Sequence, residues 1–305
     1  MKVLGLILGG VANVTLVLLV APFCEGVLRK VTARIQSRQG PPIWQPYFDL
    51  LKLLGKEDLE SGETPLMQRF AVYLSLATVL TITCLIPMGF PAPLNEAGDA
   101  ILLIYLLTLA GIGTLLAGLA AGSTYSLLGI SREMMTMIAL EPLFAVTLVI
   151  GALQTRSFRL DTVLNGSVYA TGLPLSGLLM LAVMLLSFQA FVQRVPFDSG
   201  EAETEIMGGA LMEYSGPKLA LLKYAQMAKP VIYSALFVAL FVPWGSGLVF
   251  PLGWLWFWAK VFGLVLLVTL VAATHARYRI DQAIRYFVGL LAVSLVALIL
   301  ASYGY

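Results

Sequence analysis

Eight apolar runs recur along this chain, each about as long as a bilayer's hydrocarbon core is thick, and they leave little choice of fold. About 20 apolar residues cross such a core. Inside it no water satisfies a bare backbone N–H or C=O, so each run is read as a helix. The predicted spans cover 3–24, 70–90, 100–122, 133–153, 174–193, 219–243, 253–275 and 286–304. Only 12% of the 305 residues are charged and 59% are hydrophobic, whereas soluble proteins carry about 25% charged residues. The expectation is one all-α, polytopic integral membrane domain over 1–305, with 25–69 and 194–218 as its main loops. The first apolar run continues to Cys24 without a small-residue cleavage site, which predicts a retained helix rather than a signal peptide.

Lysine and arginine are distributed unevenly between the two sets of loops. The 25–69 loop holds Arg29, Lys30, Arg34, Arg38, Lys52, Lys56 and Arg69, and the same side gains Arg132, Arg194, Lys218, Arg277, Arg279 and Arg285. The other side has Lys2, Arg156 and Arg159. The positive-inside rule then predicts cytoplasmic functional loops and both termini outside. Trp254, Trp256 and Trp258 fall where an outer aromatic belt is expected.

Chemistry in the chain itself is poorly supported. Cys24, Cys84 and a lone His275 cannot supply an iron–sulfur or zinc site. No nucleophile–base pair, phosphate-binding glycine loop or nucleotide fingerprint is present. What remains is charge placed beside hydrocarbon. The segment PFDSGEAETEIMGGALMEYSGPK from Pro196 to Lys218 carries Asp198, Glu201, Glu203, Glu205 and Glu213. A helix over 198–205 would put Asp198, Glu201 and Glu205 on one face. Clustered carboxylates raise one another's pKa and become able to exchange protons near neutrality. The alternative is a solvated acidic face that docks a basic partner.

Glu141 lies within the fourth span, about two turns beyond Glu133 on a similar face and next to Pro142. An intramembrane carboxylate is a functional candidate by default; a structural pair with a neighbouring lysine or arginine is the alternative. Lys229 and Lys260 lie in the sixth and seventh spans. Either could snorkel to an interface, with Lys229 the better counter-charge for the carboxylates. Around Gly40 and Pro41, Arg34 and Arg38 precede a turn, and Tyr47, Leu50, Leu51 and Leu54 then recur at helical spacing. That pattern suits an amphipathic interfacial helix, held either by a partner or by anionic lipid.

PFDSGEAETE, followed by Glu213-Tyr-Ser-Gly, resembles the signature of the quinone-proximal membrane subunit of respiratory complex I and its relatives in membrane-bound nickel–iron hydrogenases. QPYFDLLKLLGK, the Ser131–Pro142 stretch and RYRIDQ from Arg277 fit the same superfamily in the same order. Gln36-Ser37 before Arg38, the short Pro42-Ile43-Trp44 link and Ala276 are more similar to the energy-converting hydrogenase branch (Ech, carbon-monoxide-induced and formate hydrogenlyase types). The resemblance implies a non-catalytic subunit that couples electron transfer in a peripheral arm to proton or sodium translocation. It implies an ion path through Glu133, Glu141, Asp198, Glu201, Glu203, Glu205, Glu213 and Lys229. Peripheral-arm docking is implied for Arg34, Arg38, Gly40, Pro41, Asp49, Lys52, Arg277, Arg279 and Asp281.

By the same resemblance this chain holds no cofactor. The nickel–iron centre and iron–sulfur clusters belong to hydrogenase-like large and small subunits and iron–sulfur subunits, with antiporter-like subunits further along the membrane. The setting is a prokaryotic cell membrane, with lipid and no nucleic acid as partner. The rival readings are a quinone-binding complex I subunit, a stand-alone transporter and a passive anchor.

Overall fold

The computed structural model describes residues 2–59, 64–94, 98–164, 174–200, 202–245, 249 and 251–304. Its elements in order are α1 (Lys2–Ile35), α2 (Gln45–Leu54), α3 (Pro65–Leu85), α4 (Ala100–Ala121), α5 (Thr124–Thr155) and α6 (Leu160–Val163). After these come α7 (Leu175–Phe191), α8 (Glu203–Ile206), a 3-10 turn (Gly209–Leu211), α9 (Gly216–Phe241), α10 (Leu252–Thr274) and α11 (Ile280–Ser302). Seven of these helices are long and apolar enough to cross a membrane, and α7, at 17 residues, is a shorter apolar helix. Among the described residues no strand forms. The protein is an all-helical, multi-pass membrane protein.

Several helices run further than their apolar stretches predict, α1 and α5 by the most. The apolar pattern ends the first span at Cys24, but α1 continues to Ile35, 34 residues in all and about 51 Å long. Glu25 does not end it because Arg29, one turn on, and Arg194 neutralise the carboxylate. The pattern starts the fourth span at 133, but α5 begins at Thr124, where the Ser123 hydroxyl accepts the Ser126 N–H at 3.2 Å. A serine N-cap satisfies one of the four donors a helix start leaves free.

α9 is the most enclosed span, packed by α1, α3 and α10. α4 lies between α3 and α5, and α11 closes the bundle against α5 and α7. Aromatic side chains fill the centre, with Phe188 of α7 edge-on to Phe237 of α9 at 5.4 Å. Alternation of direction brings the ends of α1, α4, α7 and α10 together with the starts of α3, α5, α9 and α11. This end of the bundle also carries α2, α8 and the 3-10 turn. α2 is the expected amphipathic helix, but only Leu50 of its predicted apolar set is buried, while Leu51 and Leu54 are exposed with Phe48. The chain leading into α2 rests directly on α1: a Cβ at Gly26 would come within 1.9 Å of the Ile43 carbonyl oxygen. Only a glycine permits that approach.

Candidate ion-coupling site

One face of α5 meets α4 and the turn that follows α7, and looks across a cavity to α9. Glu133 is buried there, and its Oε1 accepts hydrogen bonds from the Thr114 hydroxyl at 3.0 Å and from Gln193 Nε2 at 2.8 Å. The Gln193 Oε1 in turn accepts from Lys229 Nζ at 2.6 Å. One amide therefore joins a buried carboxylate to a buried ammonium, donating to the first and accepting from the second. Gln193 is placed for this by its backbone, which turns left-handed (φ +55°) just past the end of α7. Hydrogen bonds to ionised groups are about twice as strong as neutral ones, so this bridge fixes three elements against one another.

Two turns along α5, Glu141 opens onto a cavity of about 80 Å³ whose polar lining is Thr108, Thr136, Glu141, Gln193, Lys229 and Tyr233. A water molecule occupies about 10–15 Å³ on this scale, so the cavity has room for several. The Glu141 Oε1 is buried without a hydrogen-bond partner. Among the described residues no lysine or arginine forms an ion pair with Glu141, so the structural pairing considered from sequence is not made there. Lys229 is not a direct counter-ion either, since its bonded partner is Gln193. Carboxylate and ammonium instead face one wettable space, connected through Gln193 to Glu133.

The acidic segment departs from expectation. A helix over 198–205 would align three carboxylates, yet helix is confined to Glu203–Ile206, and Glu201 lies outside the described residues. Asp198 pairs with Arg277 at 2.9 Å, while Glu205 pairs with Arg132. Arg132 of α5 and Arg277 of the link between α10 and α11 thus each neutralise one of these two carboxylates, and the single helical face expected from their spacing does not form. The expected upward pKa shift is reversed at Glu205, where the Arg132 hydrogen bond and charge, helped by Arg277 and Arg279, hold the carboxyl below its ordinary value. Glu213 precedes Tyr214, whose hydroxyl donates to the Ala117 carbonyl of α4 at 2.7 Å. Burial pushes that phenol up to about 12, which keeps it a neutral donor anchoring the loop.

The residues assigned to docking divide into two groups. Arg34, Arg38, Lys52, Arg279 and Asp281 are exposed at this end of the bundle, with Gly40 (φ +66°) and Pro41 shaping the turn between the first pair and α2. Asp49 and Arg277 also make ion pairs within the chain. Arg29 bonds Asp49 Oδ2 at 3.2 Å and Glu25 Oε1 at 3.2 Å, and Arg194 takes the other oxygen of Glu25. The line Asp49–Arg29–Glu25–Arg194 thus runs from α2 through α1 to the residue beside Gln193. Sequence reasoning missed both Glu25 and Gln193. Arg29 at i+4 from Glu25 was a usable helical-pair signal; an uncharged glutamine at a span's end offered none.

Charged and amide groups inside a helical bundle, joined to a wettable cavity and capped by a basic face, define a membrane subunit built to hold ionisable chemistry within the bilayer. The chain belongs to the NADH dehydrogenase family, whose sequence model matches residues 9–302, the subunit 1 branch of that family. Hydrogenase-4 component C of Escherichia coli is 35% identical over 79% of this chain and 76% of its own length. Formate hydrogenlyase subunit 4 of the same organism is 32% identical, covering 86% and 88%. A subunit of an NADH-quinone oxidoreductase from Geobacter sulfurreducens is 31% identical, covering 88% and 85%. A chain of the membrane-bound sulfane sulfur reductase, an archaeal respiratory membrane complex, superposes with a TM-score of 0.87 at 26% identity. That match covers 98% of this chain and 100% of the other.

Proposed function

We propose that this protein is the membrane-arm subunit of an energy-converting hydrogenase complex, docking a hydrogenase-like peripheral arm and coupling its electron transfer to proton or sodium translocation. The observation that carries the reading is the Glu133–Gln193–Lys229 bridge opening onto the Glu141 cavity. A passive anchor has no use for a carboxylate at that depth without an ion-pair partner among the described residues, since each such group costs a few kcal/mol. Similarity to the hydrogenase-4 and formate hydrogenlyase proteins supports the hydrogenase branch. The peripheral subunits would carry the nickel–iron centre and iron–sulfur clusters. Antiporter-like subunits would continue the path along a prokaryotic cytoplasmic membrane.

In this reading the loop-bearing end faces the cytoplasm and the exposed Arg34, Arg38, Lys52 and Arg279 receive the peripheral arm. A redox step there changes the charge beside α2 and α8. The Asp49–Arg29–Glu25–Arg194 line carries that change to the turn holding Gln193. When Gln193 shifts, the hydrogen bonds to Glu133 and from Lys229 weaken, and the charge facing the Glu141 cavity changes. Coupling of this kind needs two states of the site that differ in proton affinity. A second reading, quinone reduction, is favoured by the similarity to the NADH-quinone oxidoreductase relative.

Two measurements test the proposal. The purified assembly should evolve or consume hydrogen; quinone reduction without hydrogen turnover would favour the second reading. Glu141→Gln should leave assembly and dye-linked electron transfer intact while abolishing gradient formation in proteoliposomes. An undiminished gradient rejects Glu141 as a relay.

A further inference from the structure

At the end of the bundle away from the acidic segment, a second cleft opens between the turn after α3, the end of α9 and the start of α10. Its volume is about 430 Å³, far more than a few waters need, and its walls include Phe90, Leu164, Val238 and Phe257. Among the described residues of these walls, one carries a charge. Lys260 Nζ donates to the Val242 carbonyl at 2.7 Å and to the Trp244 carbonyl at 2.9 Å. An ammonium has three donors, so one is left over, and among the described residues no carboxylate forms an ion pair with Lys260. The first turn of α10 borders the same space through Gly253, and a helix start attracts anions.

The wall at Gly89 supplies a further donor. The indole nitrogen of Trp254, a residue of the cleft wall, is buried and has no acceptor. It lies 3.0 Å from the point a Cβ on Gly89 would occupy, and Gly89 has a φ of +88°. A side chain there would be strained and would close this corner of the cleft. Leaving a buried donor unmet costs about 1–3 kcal/mol. Oxygen acceptors entering from the cleft would relieve that cost.

Hydrocarbon walls, a cation with one donor left over and no carboxylate partner among the described residues, and an indole donor without an acceptor match one chemistry: a phosphate ester that brings its own acyl chain. We propose that this cleft binds one anionic phospholipid, its phosphate on Lys260 and the start of α10, its acyl chain along Phe90, Val238 and Phe257. A zwitterionic lipid fits less well, because its ammonium would sit beside Lys260.

The test uses the intact complex, purified in mild detergent, washed of lipid and then titrated with phosphatidylglycerol or phosphatidylcholine. Native mass spectrometry counts the lipid retained. Lys260→Gln should weaken retention of one phosphatidylglycerol about tenfold, the change expected from one lost charged hydrogen bond, and Lys260→Arg should restore it. Phosphatidylcholine retention should be the same in all three proteins. Equal phosphatidylglycerol retention by wild type and Lys260→Gln overturns the proposal, as does equal affinity of the wild type for the two lipids. Displacement of the lipid by millimolar inorganic phosphate would instead mark a free-anion site and overturn the lipid assignment. A photoactivatable phosphatidylglycerol on the wild-type complex removes any dependence on the variants folding. It should label the segments around Phe90 or Phe257; labelling confined to other segments, or a neighbouring protein crosslinked to Lys260 in its place, overturns the assignment.

Discussion

Replacing Gln193 with leucine tests the coupling site at the one residue that joins its two charges. The substitution keeps roughly the same volume but removes the donor to Glu133 at 2.8 Å and the acceptor for Lys229 at 2.6 Å. A hydrogen bond to a charged group contributes about 1.5–3 kcal/mol, so losing both costs about 3–6 kcal/mol before relaxation. Thr114 still donates to Glu133 at 3.0 Å, and waters in the adjoining cavity can reach Lys229, which favours the lower figure. A loss of about 3 kcal/mol is more than a hundredfold in any equilibrium that depends on the bridge. The assay is paired: redox-driven proton uptake by proteoliposomes containing the complex, and dye-linked electron transfer by the same preparation. Gln193→Leu should abolish the first and spare the second. Gln193→Glu should also impair uptake, because a carboxylate can accept from Lys229 but, when ionised, cannot donate to Glu133. Full proton uptake by Gln193→Leu would refute the idea that the bridge transmits anything.

Arg194→Ala leaves Glu25 buried with one of its two guanidinium partners gone, and breaking a buried ion pair costs about 3–5 kcal/mol; thermal unfolding of the complex should report a loss at the lower end because Arg29 remains. In the same variant α2 should become easier to cleave by protease, and an unchanged cleavage rate would argue against the Asp49–Arg29–Glu25–Arg194 line. Gly26→Ala forces a methyl group to within 1.9 Å of the Ile43 carbonyl oxygen, so the 41–44 segment should lift from α1 at a cost of about 1–3 kcal/mol, seen as faster hydrogen exchange there. The Glu205 carboxyl titrates below its unfolded value, so its contact with Arg132 is complete above pH about 4.3 and is lost only as pH falls through the lowered folded value. Hydrogen exchange of 203–206, corrected for intrinsic rates, should show that order, and a midpoint above the ordinary glutamate range would contradict it.

Sequence reasoning reached the helices readily because lipid imposes a single rule on every apolar run. It placed their ends less well, since the rule stops at the first charge and proteins do not. Glu25 reads as the end of a span because its partners Arg29 and Arg194 are brought to it by helical spacing and by a fold no local pattern reveals. Glu141 and Lys229 stand out as charges in hydrocarbon, and they do face one cavity. Gln193, which connects them to Glu133, is uncharged and owes its position to a left-handed turn. The predicted helical alignment of the carboxylates fails for the opposite reason. Spacing along the chain reads as helical, but Arg277 and Arg132 fix Asp198 and Glu205 from outside the segment, and side chains 79 and 73 positions away leave no trace in local periodicity.

Glu133 and Glu141 stand on one helix eight positions apart, about 12 Å along its axis, roughly two-fifths of a 30 Å hydrocarbon layer. In the proposed relay, a proton handed from one to the other would cross a sizeable part of the membrane voltage, and each 100 mV would load that transfer with about 0.9 kcal/mol. Back-pressure from an already energised membrane would then act on this step directly, so the gradient built would also set how hard such a relay must push.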